Sequence, residues 1–439
     1  LSDRPSEWDK YLLGSVLFIS LLIGGGTASG LYTDTLIEVA AIITAAAVFS
    51  QTSGQRIPYT ILWLLIFAVA LVILQIVPLP AAILNGLRPE LLLGDSWLAG
   101  QSGFRFVSVG VGRTIECLLY LVASAAFFLS VLRLRTEQVK GLLPFFFMGV
   151  ICNGLAGAIQ YSLSDDIAVE GLLPFTINAG LFANENHFAA LLFVSIPFVA
   201  YYGLFRGHLL SGSLGLATLL LLLLAVGSRA GVLIGLAITV LSIVFLSARS
   251  RVSGFSILAV FIGLSVYTIG AWTRIDAEVV DPAFGRGEFA RTTIEGIKEN
   301  LATGVGFGNF QKAYQIYEKE GMIFKQYVNH AHNDYLEIAF EGGVLAILLM
   351  MFYFILLLVG LVRIRRDPLQ KAAFLSVSFL LIHSLVDYPL RTEALAMTFA
   401  YMNAIIFHKG FADRLAQKNE LIEINHNGDK LFVPIGTSS

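Results

Sequence analysis

Two imidazoles and two carboxylates stand close together in Asn329-His330-Ala331-His332-Asn333-Asp334-Tyr335-Leu336-Glu337. Imidazole is the side chain whose ordinary pKa lies near neutrality, so a histidine at a membrane surface suits general-base work. The His-x-His pair also has the look of a metal site, but zinc takes three or four protein ligands and no third ligand stands at a convincing spacing. Local structure offers a further reading: Asp334 with Glu337 fits a capping box that opens a helix. That box accounts for Asn333, Asp334 and Glu337 without requiring either histidine. His332 is therefore the candidate catalytic base, Asn333 and Asp334 its support, and no metal site is assigned.

Arginines supply the second kind of chemistry. Arg229 lies in Gly227-Ser228-Arg229-Ala230-Gly231, between two apolar runs with hardly a loop between them. A guanidinium there is costly unless it snorkels to the headgroups or clamps an anion, and its planar fork fits a phosphate better than lysine does. Arg286, in Phe284-Gly285-Arg286-Gly287, has small neighbours that let it approach a ligand, although a solvated surface arginine is the usual state. The segment 273–337 carries seven Lys/Arg against ten Asp/Glu, so an anion would be held by placed arginines and not by bulk charge. Gly304-Val305-Gly306-Phe307-Gly308 follows a helical pattern with no βαβ unit around it, which excludes a dinucleotide fingerprint. Two further polar clusters mark helix ends. One is Asn184-Glu185-Asn186-His187; the other is Asp387-Tyr388-Pro389 with Arg391, where acid and base can satisfy each other as an ion pair.

The elements that must position these residues are set by composition. Hydrophobic residues make up 56% of the 439 and charged residues 14%, with a mean hydropathy of +0.76. A water-soluble core needs far less apolar surface than that, whereas a bilayer requires it. The chain reads as an all-α, polytopic integral membrane protein. About twelve spans are expected, near 11–31, 34–52, 57–79, 114–132, 142–161, 187–205, 209–227, 230–247, 254–272, 338–361, 372–386 and 393–408. Lys and Arg in the short loops number seventeen on the N-terminal side against five on the other, which predicts cytoplasmic termini. The expected organisation is helices 1–9 over 1–272, a large outer loop over 273–337, helices 10–12 over 338–410 and a cytoplasmic tail over 411–439. Within the loop, 285–321 reads as two short amphipathic helices around a glycine turn, with Ala290, Ile294, Ile297 and Leu301 as the apolar stripe of the first. No basic stripe suggests nucleic acid, and Cys117 and Cys152 lie inside apolar runs, so no disulfide framework is expected.

The succession of Gly227-Ser228-Arg229-Ala230-Gly231, Gly304-Val305-Gly306-Phe307-Gly308-Asn309-Phe310 and His332-Asn333-Asp334-Tyr335-Leu336-Glu337 resembles the O-antigen ligase and polymerase superfamily. Val77-Pro78-Leu79-Pro80 and Phe182-Ala183-Asn184-Glu185-Asn186-His187 are similar to its weaker signals. The resemblance implies a metal-independent, inverting glycosyltransferase of the bacterial inner membrane with a periplasmic site and no cofactor. The implied donor is a glycan on undecaprenyl diphosphate. The implied acceptor is the lipid A–core for a ligase, favoured by compact size, or another lipid-linked glycan for a polymerase. Carried over by position, Arg229 and Arg286 become the diphosphate-binding groups, with Arg291 as second choice, and His332 the essential histidine. Glu185, Asp387 and Arg391 join Asn333 and Asp334 as supporting residues. The family's tryptophan four residues after the loop arginine is Ala290 here, which weakens the Arg286 register. A small-anion transporter is the rival from another class. It would need ionisable residues along a path through the spans, where this chain has little beyond Glu38 and Glu116.

Overall fold

The computed structural model describes residues 7–28, 30–50, 54–85, 103–162, 179–247, 282–319, 328–364 and 367–411. Within them the apolar runs form helices: α1 (Trp8–Ile23), α2 (Tyr32–Phe49), α3 (Tyr59–Ile76), α4 (Ala81–Asn85), α5 (Val111–Arg133), α6 (Thr136–Lys140) and α7 (Leu143–Ser162). After these come α8 (Glu185–Ala200), α9 (Leu209–Val226), α10 (Arg229–Ser247), α11 (Pro282–Asn300) and α12 (Phe310–Tyr314). The last are α13 (Asp334–Arg363), α14 (Pro368–His383) and α15 (Glu393–Phe407). Residues on either side of the segment 81–103 pair antiparallel, Leu79 with Arg105 and Pro80 with Phe104. Every expected span falls on a helix except 254–272, which lies outside the described residues.

Eight of the helices in the described residues are long and apolar enough to cross a bilayer; Pro368–His383 and Glu393–Phe407 are shorter apolar helices. Their outward faces carry bare leucine, isoleucine and valine, such as Ile43, Leu210, Leu221, Val244 and Leu358. In water that surface would drive aggregation, whereas lipid solvates it, and helices satisfy their own backbone polar groups there. The chain is an all-α polytopic membrane protein. α8 is the central member, buried over most of its length against α9, α10 and α14. It carries Pro197 near its end and continues as a π-helical turn over Tyr201–Phe205, as expected where proline removes a backbone donor.

A second, smaller core lies at one end of the bundle. Val305, Phe310, Ala313, Tyr314, Val328, Ala331 and Phe340 pack together there with Phe289 and Tyr317. α13 supplies the joint between the two cores. Its first turns, from Asp334, precede a break at Gly343, whose backbone is non-helical (φ 62°, ψ −157°). That break frees backbone carbonyls, and the glycine segment takes them: Val305 N–H donates to Phe340 O at 3.0 Å and Gly306 N–H to Glu341 O at 2.9 Å. Gln75, at the end of α3, adds its Nε2 to Glu341 O at 2.9 Å and accepts from Phe307 N–H at 3.0 Å. Gly304, with φ 69°, lies against the Glu341 carbonyl where a side chain would collide. Gly304 thus seats the loop on the broken helix, while Gly306 and Gly308 lie close against Ser108 and the Arg113 carbonyl.

α11 turns a different face inward than its apolar stripe predicts. Ile294 and Leu301 are exposed, while Thr292, Thr293, Gly296 and Asn300 are buried. Gly296 lets the helix approach the Phe340 ring too closely for any Cβ, and Asn300 Nδ2 donates to Gly296 O and Tyr317 Oη. Close approach at Gly296 sets the phase of this helix, together with Phe289 and Ile297 packed on the second core. Consequently Arg286 and Phe289, three residues apart, share a face directed toward the chain around His332.

Candidate active site

The polar residues converge where the 328–334 segment, the start of α8, the end of α14 and the 3-10 turn Pro389–Arg391 meet. His332 has a left-handed backbone (φ 50°), alone among the described non-glycine residues. Such a conformation costs free energy in a non-glycine residue and persists only where surroundings impose it. It folds the chain so that both histidines meet the Tyr388 ring. His330 stacks on it at a centroid distance of 4.1 Å, and His332 meets it edge-on at 5.0 Å. Side chains two apart, which diverge in a strand, converge here for that reason. Phe289 of α11 stacks on the other side of His332 at 5.8 Å. Nδ1 of His332 lies 3.3 Å from Oδ1 of Asp387, within ion-pair distance but short of an aligned hydrogen bond. The imidazole remains 21% exposed, so a substrate hydroxyl can reach it.

The capping box is not formed. Asn333 is the N-cap of α13, its Oδ1 accepting from Leu336 N–H at 3.0 Å, which leaves Glu337 one residue too far along to close the box. Glu337 turns back to the preceding segment instead. Its Oε1 is 2.8 Å from His330 Nδ1, and its Oε2 accepts from Ala331 N–H at 2.9 Å. Asp334 accepts from Ser384 Oγ at 2.7 Å, tying the start of α13 to the end of α14.

The expected Asp387–Arg391 ion pair is replaced as well. Asp387 faces His332, while Arg391 turns to one face of α13, where residues 334, 337 and 341 recur at helical spacing. Both its terminal nitrogens donate to Glu341 Oε2 at 3.0 Å, with Glu337 at 3.4 Å and Asp334 at 3.8 Å. A buried guanidinium so surrounded is committed to the protein, because removing it would leave buried carboxylates without their counter-charge. Glu341 also accepts from Phe310 N–H at 3.1 Å, so it links Arg391 to the glycine segment. Burial would lower the His330 pKa, but the Glu337 charge and hydrogen bond outweigh it and raise the value above the ordinary one. For Asp387, burial opposes ionisation, yet the facing His332 and the surrounding imidazoles hold its carboxyl well below the usual range.

Arg286 is half-buried, and its guanidinium lies within electrostatic reach of His383 at the end of α14. Arg291 is 81% exposed and pairs with Glu288 at 3.7 Å. The phase of α11 therefore brings Arg286, and not Arg291, toward the cluster. Arg229 opens α10 and is half-buried. Its neighbours are explained locally: Gly227 is the left-handed C-cap of α9, Ser228 Oγ accepts from Gly231 N–H at 3.0 Å, and Gly231 presses against Ala189. Ser228 also donates to Asn186 Oδ1 at 2.7 Å, which docks the start of α10 onto that of α8. Asn184 caps α8 through Asn186 N–H and reaches Tyr388 Oη at 3.4 Å, whereas Glu185 is exposed.

Two histidines not singled out as site residues belong to this cluster. His187 and His383 are fully buried, lie within electrostatic reach of Asp387, and find no hydrogen-bond partner among the described residues. His187 meets Tyr388 edge-on at 4.8 Å and His383 meets Phe193 at 5.4 Å. An ionisable residue inside an apolar helix was the signal that could have found His383.

Residues 214–351 match the family model described as O-antigen ligase, which puts this stretch, with Arg229, Arg286, the glycine segment and His332, in the O-antigen ligase superfamily. The match ends before Asp387 and Arg391, which the fold returns to the same cluster. No curated protein matches the chain.

Proposed function

We propose that this protein is a metal-independent, inverting glycosyltransferase. In this reading it moves a polysaccharide from undecaprenyl diphosphate to the lipid A–core on the periplasmic face of the bacterial inner membrane. The observation that carries the reading is the contact of His332 with Asp387, with His332 and Arg286 lying in the stretch that matches the O-antigen ligase family. With the Nδ1 proton turned to Asp387, Nε2 of His332 is left to take the proton of the acceptor hydroxyl. The acceptor oxygen then attacks the anomeric carbon from the face opposite the diphosphate, so one displacement inverts the configuration. Arg229 and Arg286 bind the diphosphate and stabilise the charge it gains on leaving. Arg391, engaged by Glu341, Glu337 and Asp334, holds the scaffold and does not touch substrate.

A strain lacking the protein tests this reading. Loss of all polymer-capped lipopolysaccharide with lipid-linked polymer intact supports the ligase. Capping by a single repeat unit assigns the protein as a polymerase, and unchanged lipopolysaccharide removes both.

A further inference from the structure

Glu337 is wholly buried in the first turn of α13, and a carboxylate is costly to bury unless its oxygens are engaged. Arg391, at 3.4 Å, does not account for it, because that guanidinium is held more closely by Glu341 at 3.0 Å. The shorter contacts of Glu337 run backward along the chain. Oε1 lies 2.8 Å from His330 Nδ1, and Oε2 accepts from Ala331 N–H at 2.9 Å. One carboxylate thus grips two consecutive residues, and the next residue is His332.

On the other side of His332 the chain is held as firmly. Asn333 Oδ1 accepts from Leu336 N–H at 3.0 Å, its Nδ2 donates to Leu385 O at 2.8 Å, and Asp334 N–H donates to Ser384 O at 3.0 Å. His332 joins these two fixed pieces, and its left-handed backbone (φ 50°) is the turn between them. A residue with a β-carbon keeps such a turn only under constraint from its surroundings. The same grip fixes what the imidazole rests against. His330 stacks on the Tyr388 ring, whose face or edge also meets His332, and Tyr388 N–H donates at 3.0 Å to Asp387 Oδ1, the oxygen that faces His332. Releasing residues 330–331 therefore loosens both the backbone of His332 and the wall beside its ring.

We infer that Glu337 is a positioning residue for the glycosyl transfer: through His330 and the Ala331 amide it holds His332 in the left-handed turn that aims Nδ1 at Asp387. The inference rests on the proposed function, with His332 as the base. Glu337 acts through that histidine, by geometry and not by its charge on Arg391.

Two substitutions separate the grip from the charge. Glu337→Gln keeps an oxygen for Ala331 N–H and offers an amide N–H to His330 Nδ1, but removes the charge beside Arg391; Glu337→Ala removes both contacts. Single-turnover transfer and binding of an undecaprenyl-diphosphate-linked donor are measured for each, alone and combined with His332→Ala. Transfer should fall about 100-fold in Glu337→Ala and recover to within about tenfold of wild type in Glu337→Gln. Donor affinity should stay within about threefold, and adding Glu337→Ala to His332→Ala should change the residual transfer less than about twofold, since both act through one group. Equal losses in the two Glu337 variants would give the acid to Arg391, and a parallel loss of donor affinity would place it in the donor site. A further loss on top of His332→Ala would make it general scaffold, and transfer that survives His332→Ala intact would remove the base it serves; each of these overturns the inference. Should Glu337→Ala not accumulate, His330→Ala takes its place and cuts one of the two contacts. A loss of about tenfold, absent in the His332→Ala background, supports the grip, and unchanged transfer overturns it. If the wild type transfers no glycan, the proposed function fails, and histidine ring NMR decides the positioning alone. The His332 signal, identified by its disappearance in His332→Ala, should shift in Glu337→Ala and return in Glu337→Gln; a signal that stays in place overturns the inference.

Discussion

Nδ1 of His332 and Oδ1 of Asp387 stand 3.3 Å apart, brought together by a left-handed backbone at the histidine. Neither residue is near the other in sequence, and each is fixed separately. The 330–332 segment is clipped by Glu337 through His330 and the Ala331 amide, while Asp387 follows α14 directly. The contact turns Nδ1 of His332 toward Asp387. At 3.3 Å it is loose for a hydrogen bond.

The two loop arginines separate cleanly. Arg286→Lys keeps the charge but loses the planar fork, so transfer should fall about tenfold or more with expression unchanged. Arg291→Lys, at an exposed pair with Glu288, should stay within about twofold of wild type. Transfer by the wild type should also persist in EDTA, since the proposed clamp is cationic. Equal effects of the two lysine substitutions, or magnesium-dependent rescue after chelation, would count against the assignment.

Gly304 and Gly343 form the seat of the glycine segment, each with a positive φ and each with the other's chain where a Cβ would go. Gly304→Ala should cost several kcal/mol, combining strain at φ 69° with a collision against the Glu341 carbonyl. Gly112→Ala, where nothing lies within 4 Å of the added carbon, should be neutral. Thermal unfolding of both variants in detergent decides this; equal melting temperatures would mean that the seat is soft.

Stability should depend on pH at both limits. The raised His330 pKa means that its pairing with Glu337 contributes fully below the unfolded value of about 6.5 and is lost as pH rises through the higher folded value. The depressed Asp387 pKa works in the other sense. It contributes above the unfolded value of about 3.9 and is lost as pH falls through the folded one. Apparent melting temperature should therefore be highest between roughly pH 4 and 6.5 as far as these two groups govern it. His330→Gln should remove the alkaline decline; an identical profile in that variant would dissociate the decline from His330.

Much of this was legible because it depends on sums. Spans follow from runs of apolar residues, Arg229 and His332 stand out as a costly and a reactive group, and Arg286 stands out by its small neighbours and the resemblance. What was hidden depends on distant partners. Glu337 has the spacing of a capping box, but Asn333 takes the cap and frees the carboxylate for His330. Glu341, inside the expected span 338–361, is not among the expected site residues; its partner Arg391 comes from beyond α14. The inward face of α11 is set by Gly296 against Phe340, which hydrophobic periodicity does not register. The choice between Arg286 and Arg291 followed from that phase alone.

The account's central claim is that His332, oriented by Asp387, is the base. Single-turnover transfer and donor binding should be measured side by side for wild type, His332→Ala and Asp387→Asn. Transfer should fall about 10²–10⁴-fold in both variants, with donor affinity held within about threefold. Parallel loss of transfer and donor affinity in His332→Ala would make the histidine a substrate-binding group and contradict the mechanism.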